Sequence, residues 1–316
     1  MGNKDITDFN EAQLRKRAAS KEELNICLTN NYAFQKIFKN EEIVKGFLIA
    51  LLHLKETDIE ELEVTDPFVE GEVKEEKEGI LDVKLILNGG KKINIEMQNT
   101  YQEDWAERSL FYNCRMFTEG LKKGESYYEL PPCIHVGILD FNYLKSPGFY
   151  HRILLKDDTT GELYSSKFQF HVIELSKIAT TKGKARKQDL YKWAKLISAS
   201  TWEEIREESE GNHYMEKVRD EMIKMSQDES ERYLYLREQM AIRDKASQLR
   251  SAENIGIRKG ELLKLVTPVQ RKIEKGDTVD KIADDLLEDQ EIIEKIYNLI
   301  RKYPDKDEKE ICNFLI

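Results

Sequence analysis

Apolar side chains recur at helical steps near the start of the chain: Phe34, Ile37 and Phe38, then Val44, Phe47, Leu48, Leu51 and Leu52. Steps of three and four residues mark an amphipathic helix, so two short helices are predicted here. Asn30 or Asn31 supplies the cap of the first, since a short amide side chain can accept from first-turn N–H groups. Residues 9–24 read as a further, charged helix.

An acidic stretch, VEGEVKEEKEGI, then gives way to strict alternation in GILDVKLILNGGKKINIEMQNT, residues 79–100. Leu81, Val83, Leu85 and Leu87 share one face; Asp82, Lys84 and Ile86 share the other. In the next run Ile93, Ile95 and Met97 oppose Asn94, Glu96 and Gln98. This is the period of a half-buried strand pair. The turn must bring the two apolar faces together, and parity restricts its length. A two-residue loop at Gly89-Gly90 would set Asp82 opposite Met97. A three-residue loop, Asn88 to Gly90, pairs Val83 with Ile95 and Asp82 with Glu96, with glycine providing the positive φ such a loop needs.

Beyond the hairpin, EDWAERSLFYNCRMFTEGLKKG predicts an amphipathic helix whose apolar positions are Trp105, Leu110, Phe111, Cys114, Phe117 and Leu121, stopped at Gly124. PPCIHVGILDFNYL reads as a buried strand and KFQFHVIEL as an alternating one. Helix, strands, helix, strand, strand is the order of a mixed α/β layer. From residue 183 onward the pattern is helical and highly charged, which divides the chain into 1–182 and an all-α region, 183–316. Its end, around KGDTVDKIADDL, resembles a helix-turn-helix pair, but the acidic DDLLED favours a packing unit over a DNA reader.

Composition narrows the setting. The longest apolar run, GFLIALLHL, is far too short to cross a bilayer, and the first residues contain no apolar signal region. Cys27, Cys114, Cys133 and Cys312 form no CxxC pair, as expected for reduced thiols in a cytoplasm. The five histidines form no HxH or HExxH pair, so carboxylates are the expected ligands of any catalytic metal. A net charge of −10 opposes nucleic-acid binding on average. The average hides a gradient, however: residues 51–100 carry six basic against thirteen acidic side chains, and residues 151–200 carry ten against five.

The chemistry concentrates in the hairpin. Directly opposed carboxylates, with Cβ atoms roughly 4.5–5.5 Å apart, repel unless something neutralises them. A divalent cation would do so, since Mg²⁺ is typically held by one or two carboxylates plus water and phosphate. Lys84, on the same face, would also do so as an ordinary surface partner. Both readings stand on geometry alone.

Asp82, followed after thirteen residues by Glu96-Met97-Gln98 on the paired strand, resembles the PD-(D/E)XK nuclease core with its final lysine replaced by Gln98. Together with NNYAFQKIF, INIEMQ, ERSLFYNCRMFTEGLKKGESYYELPPCIHVGILDF and FHVIELSK, the chain from about 28 to 180 resembles the Rpn family of recombination-promoting nucleases, also described as transposases. The resemblance implies a restriction-endonuclease-like fold and a metal-dependent DNA endonuclease using Mg²⁺, with Mn²⁺ as an alternative. It implies Asp82 and Glu96 as metal ligands, the Met97 carbonyl as a third, and DNA contacts from Arg108 and Tyr112. Gln98 could orient water but not accept its proton. Lys84 is a candidate for the displaced positive charge. The family's usual Asp is replaced by Asn31. The alternative is a catalytically decayed member that binds DNA or protein. DNA is thus the expected partner, no membrane is expected, and the helical tail is a candidate homo-oligomer contact.

Overall fold

A computed structural model describes residues 26–65, 68–69, 79–80, 82–119, 124 and 126–315. The helix expected over 9–24, and the strand and helix positions Leu81 and Leu121, lie outside the described residues.

Asn30 caps helix α1 (Asn31–Phe38) by accepting from the Ala33 amide, and Asn40 caps α2 (Glu41–Leu52) in the same way. These helices bury Phe34, Ile37, Phe38, Val44, Phe47, Leu48 and Leu51, as their spacing requires. Strands β1 (Leu62–Thr65), β2 (Phe68–Val69) and β3 (Gly79–Ile80) lead to β4 (Val83–Leu87) and β5 (Lys91–Gln98). Leu87 pairs with Lys91 and Val83 with Ile95, the register of a three-residue loop. Gly89 and Gly90 both adopt positive φ, 62° and 83°.

Helix α3 (Trp105–Thr118) crosses to β6 (Cys133–Leu139), which lies parallel to β5 and to β8 (Leu163–Glu174); β7 (Tyr150–Lys156) closes the sheet antiparallel to β8. The order is β1-β4-β5-β6-β8-β7. This mixed sheet with flanking helices is the restriction-endonuclease-like α/β architecture.

Helices α4 (Asp189–Ser198), α5 (Trp202–Ser209) and α6 (His213–Gln227) follow. Trp193 of α4 packs edge-on against Phe38 and Phe47, with centroids 6.3 and 5.6 Å away. It belongs to the same core as Val83, Leu85, Ile93 and Ile95. The compact unit built on the sheet therefore extends to Gln239, beyond the boundary expected at 182, because α4 to α6 complete its core.

Helix α7 (Glu229–Glu274) is continuous through Pro268. It is separated from α6 by Asp228, whose carboxylate accepts from the Glu231 amide. The second unit, Met240–Ile316, gathers the end of α7 with α8 (Val279–Leu286), α9 (Gln290–Lys302) and α10 (Glu308–Asn313). Its core includes Val266, Val269, Ile282, Ile293, Ile296 and Ile311.

The polar face of the hairpin is the main departure from expectation. A half-buried pair was expected, but Lys84, Asn94, Glu96 and Gln98 are all buried, because α3 lies across them. The helix turns Trp105, Ser109, Tyr112, Asn113 and Met116 inward and leaves Leu110, Phe111 and Cys114 exposed. The expected apolar stripe is thus largely on the outside. A helix over a polar sheet face must present hydrogen-bonding groups to it. Asn113 does so, donating to the Gln169 carbonyl at 3.1 Å.

Candidate active site

Asp82 stands immediately before β4, one residue beyond the last ladder pair, Val83–Ile95. Its carboxylate takes over from the ladder: Oδ2 accepts from the Met97 amide at 2.8 Å, and Oδ1 from the Gln35 side chain at 3.0 Å. The residue is thereby tied to β5 on one side and to α1 on the other. Asn31 lies one turn before Gln35 on α1, and its Oδ1 is buried without a hydrogen-bond partner.

Glu96 is 2% exposed. Its two oxygens have different surroundings. Oε1 accepts from Arg108 through Nε at 3.1 Å and Nη2 at 2.7 Å, and from the Gln98 amide at 2.8 Å. Oε2 is buried without a hydrogen-bond partner and lies 3.6 Å from His135 Nε2. Arg108 in turn lies over the Tyr112 ring, 5.1 Å from its centroid. The structure thus brings Asp82, Glu96, Met97, Gln98, Arg108 and Tyr112 into one connected group.

Lys84 is not part of it. Its ammonium pairs with Glu119 at 2.7 Å, at the far end of α3. The cation facing the acid pair is Arg108 instead.

The electrostatics show a site short of positive charge. Burial, followed by the neighbouring Glu96 charge, pushes the Asp82 carboxyl up to about 7. The Met97 and Gln35 hydrogen bonds and Arg108 act in the opposite direction. Burial also lowers the pKa of His135, which favours a neutral ring.

Sequence reasoning put Asn94 on the face of Glu96 and Gln98 but missed Gln35, His135 and Trp105 as neighbours of this group. His135 arrives through the parallel pairing of β5 with β6, which sets Asn94 beside His135 and Glu96 beside Gly137. Its ring nitrogen Nδ1 lies 3.1 Å from the Asn94 amide nitrogen. Gly137 makes room for the helix: a Cβ there would fall 2.3 Å from the Trp105 ring. Alternation within β6 puts His135 and Gly137 on one face, but the partner strand and register are set across an intervening helix.

The residues present fit a hard divalent cation. Two adjacent carboxylates carry an unmet demand for positive charge, and Arg108 is a stand-in cation on Oε1 of Glu96. Among the described residues no cluster of three or more His, Cys, Asp or Glu side chains could hold a metal. A hard ion here would therefore need backbone, water or phosphate oxygens as well, which is how Mg²⁺ is commonly bound.

A family model described as PD-(D/E)XK nuclease family transposase matches residues 28–252, well over half of the chain. No curated protein and no solved structure matches.

Proposed function

The chain belongs to the PD-(D/E)XK nuclease family transposases, and from that premise we propose that it is a divalent-metal-dependent DNA endonuclease acting in recombination or on mobile DNA. The observation that carries this reading is the joining of Asp82 and Glu96 across the hairpin end, with Asp82 held near 7 by burial and by its acidic neighbour. Such a pair has a use for a cation that an ordinary surface hairpin lacks.

In this reading Asp82 and Glu96 hold Mg²⁺ or Mn²⁺, with the Met97 carbonyl as a further oxygen. The ion would supply an acidified water and a polarised phosphate. The protein's own groups supply position. The Met97 amide and Gln35 fix the Asp82 carboxylate. Gln98, bonded to Glu96, can orient a water but not deprotonate it. Arg108, 34% exposed at its side chain, can turn from Glu96 to a DNA phosphate while Tyr112 backs its guanidinium. Lys84, through Glu119, holds the far end of α3 and with it the position of Arg108.

The second reading is a decayed member that binds DNA or a protein partner. Arg108 favours it, because two of its N–H groups already satisfy Glu96 Oε1 without a metal. Nicking of supercoiled plasmid with Mg²⁺ or Mn²⁺, beside Asp82→Ala and Glu96→Ala, separates the two. Nicking lost in both variants supports the nuclease. Nicking that survives both would remove the site assignment, and salt-dependent DNA retention without nicking would favour the decayed member.

Four free cysteines support a cytoplasmic setting. Among the described residues no helix is long and apolar enough to cross a membrane. Within the second unit α7 exposes Leu249, Ile255 and Ile257, which supports self-association through the helical tail.

A further inference from the structure

Glu96 Oε2 and His135 Nε2 are both buried, both lack a hydrogen-bond partner and lie 3.6 Å apart. An unpaired buried carboxylate oxygen facing an unpaired ring nitrogen is costly to leave unresolved. The ring itself is well fixed. His135 sits in the middle of the fully buried strand β6, between Trp105 and Phe170, whose centroids lie 6.2 and 6.1 Å away. On its other edge, Nδ1 meets the Asn94 amide nitrogen at 3.1 Å. An amide N–H can only donate, so Nδ1 must be the accepting nitrogen. The proton of the neutral imidazole is then on Nε2, the nitrogen that lies 3.6 Å from Glu96 Oε2.

We propose that His135 is a positioning residue for Glu96: its Nε2–H anchors Oε2, so that Oε1 is the oxygen offered to a divalent cation. The separation is a few tenths of an ångström beyond an ordinary N–H···O bond. Arg108 and Gln98 pull from the opposite side, on Oε1. When Arg108 releases Oε1, the carboxylate is free to settle onto His135. Asn94, His135 and Glu96 then form a line of donors and acceptors from β5 to β6 and back to β5, of the kind that orients ligands from behind. The inference rests on the reading of Glu96 as a metal ligand.

The test uses the full chain and Mn²⁺ alone, without DNA. Binding is followed by the loss of the free-ion electron paramagnetic resonance signal, for wild type, His135→Leu, His135→Gln and Glu96→Gln. Removal of such a supporting group typically weakens metal affinity by about 10- to 100-fold. His135→Leu is expected to show a loss in that range, and His135→Gln, which restores an N–H donor, to recover most of it. Leu and Gln variants that both bind as wild type would overturn the proposal, as would equal weakening in both. Should Glu96→Gln itself bind Mn²⁺ as wild type does, the underlying reading fails with it. Because the leucine variant could fold poorly, a second measurement uses wild type only. ¹⁵N-histidine NMR of the metal-free protein should show His135 as the Nε2–H tautomer, with its signal shifting on addition of Mg²⁺. An Nδ1–H tautomer would overturn the proposal.

Discussion

Nη2 of Arg108 lies 2.7 Å from Oε1 of Glu96, one side chain presented by a helix and the other by the strand beneath it. The contact neutralises an acid that is otherwise nearly sealed from solvent. If Glu96 is a metal ligand, as proposed above, guanidinium and metal compete for its Oε1. Arg108→Gln is expected to tighten Mn²⁺ binding while lowering plasmid cleavage by more than about tenfold, roughly 1.4 kcal/mol of barrier. Titration calorimetry and a nicking assay on the same preparation check both halves. A parallel fall in affinity and cleavage would contradict the competition.

The raised Asp82 pKa has a definite sign in folding. A carboxyl ordinarily near 3.8 that sits near 7 in the folded state binds its proton more tightly there. Its contribution to stability is fully present below pH 3.8 and is lost as pH rises through about 7. Metal-free protein should therefore have a melting temperature that falls between pH 5 and pH 8, with a shallower slope in Asp82→Asn. If Asp82 is a metal ligand, as proposed above, Mg²⁺ would bind its ionised form, so the ion's stabilising effect should be larger at pH 8 than at pH 6. Differential scanning fluorimetry across that range measures all three.

Gly137 is where α3 rests on the sheet. Gly137→Ala would place a methyl 2.3 Å from the Trp105 ring, and overpacking of this kind costs about 1–3 kcal/mol. Urea denaturation should show that loss. Cleavage should also fall, because displacement of Trp105 moves the first turn of the helix that carries Arg108.

Lys84 is committed to Glu119, so Lys84→Ala should leave the cleavage rate within about tenfold of wild type. Its cost should appear instead in stability, since Glu119 loses its closest partner. A larger catalytic loss than stability loss would return Lys84 to the reaction.

Self-association through the tail predicts a concentration-dependent mass by light scattering, reduced by Leu249→Glu. Leu249 is 55% exposed, so the substitution should leave the fold of the second unit intact.

The sequence by itself determined the local frame of this site. Alternation in β4 and β5, together with two glycines able to take positive φ, sufficed to set Val83 against Ile95 and so to bring Asp82 to Glu96. That information is local, because a hairpin register depends on parity and loop length alone. The cap of α1 and the buried faces of α1 and α2 were legible for the same reason. What covers the polar face was not. The stripe of α3 that turns inward depends on what lies beneath it, and a sheet face carrying Glu96, Asn94 and His135 selects Ser109, Tyr112 and Asn113 over Leu110 and Phe111. His135 and Gly137 enter through a parallel pairing across a helical crossover, which no local period encodes. The tertiary structure alone decided that Arg108, not Lys84, is the cation at Glu96, because only packing fixes where a long side chain finds its partner.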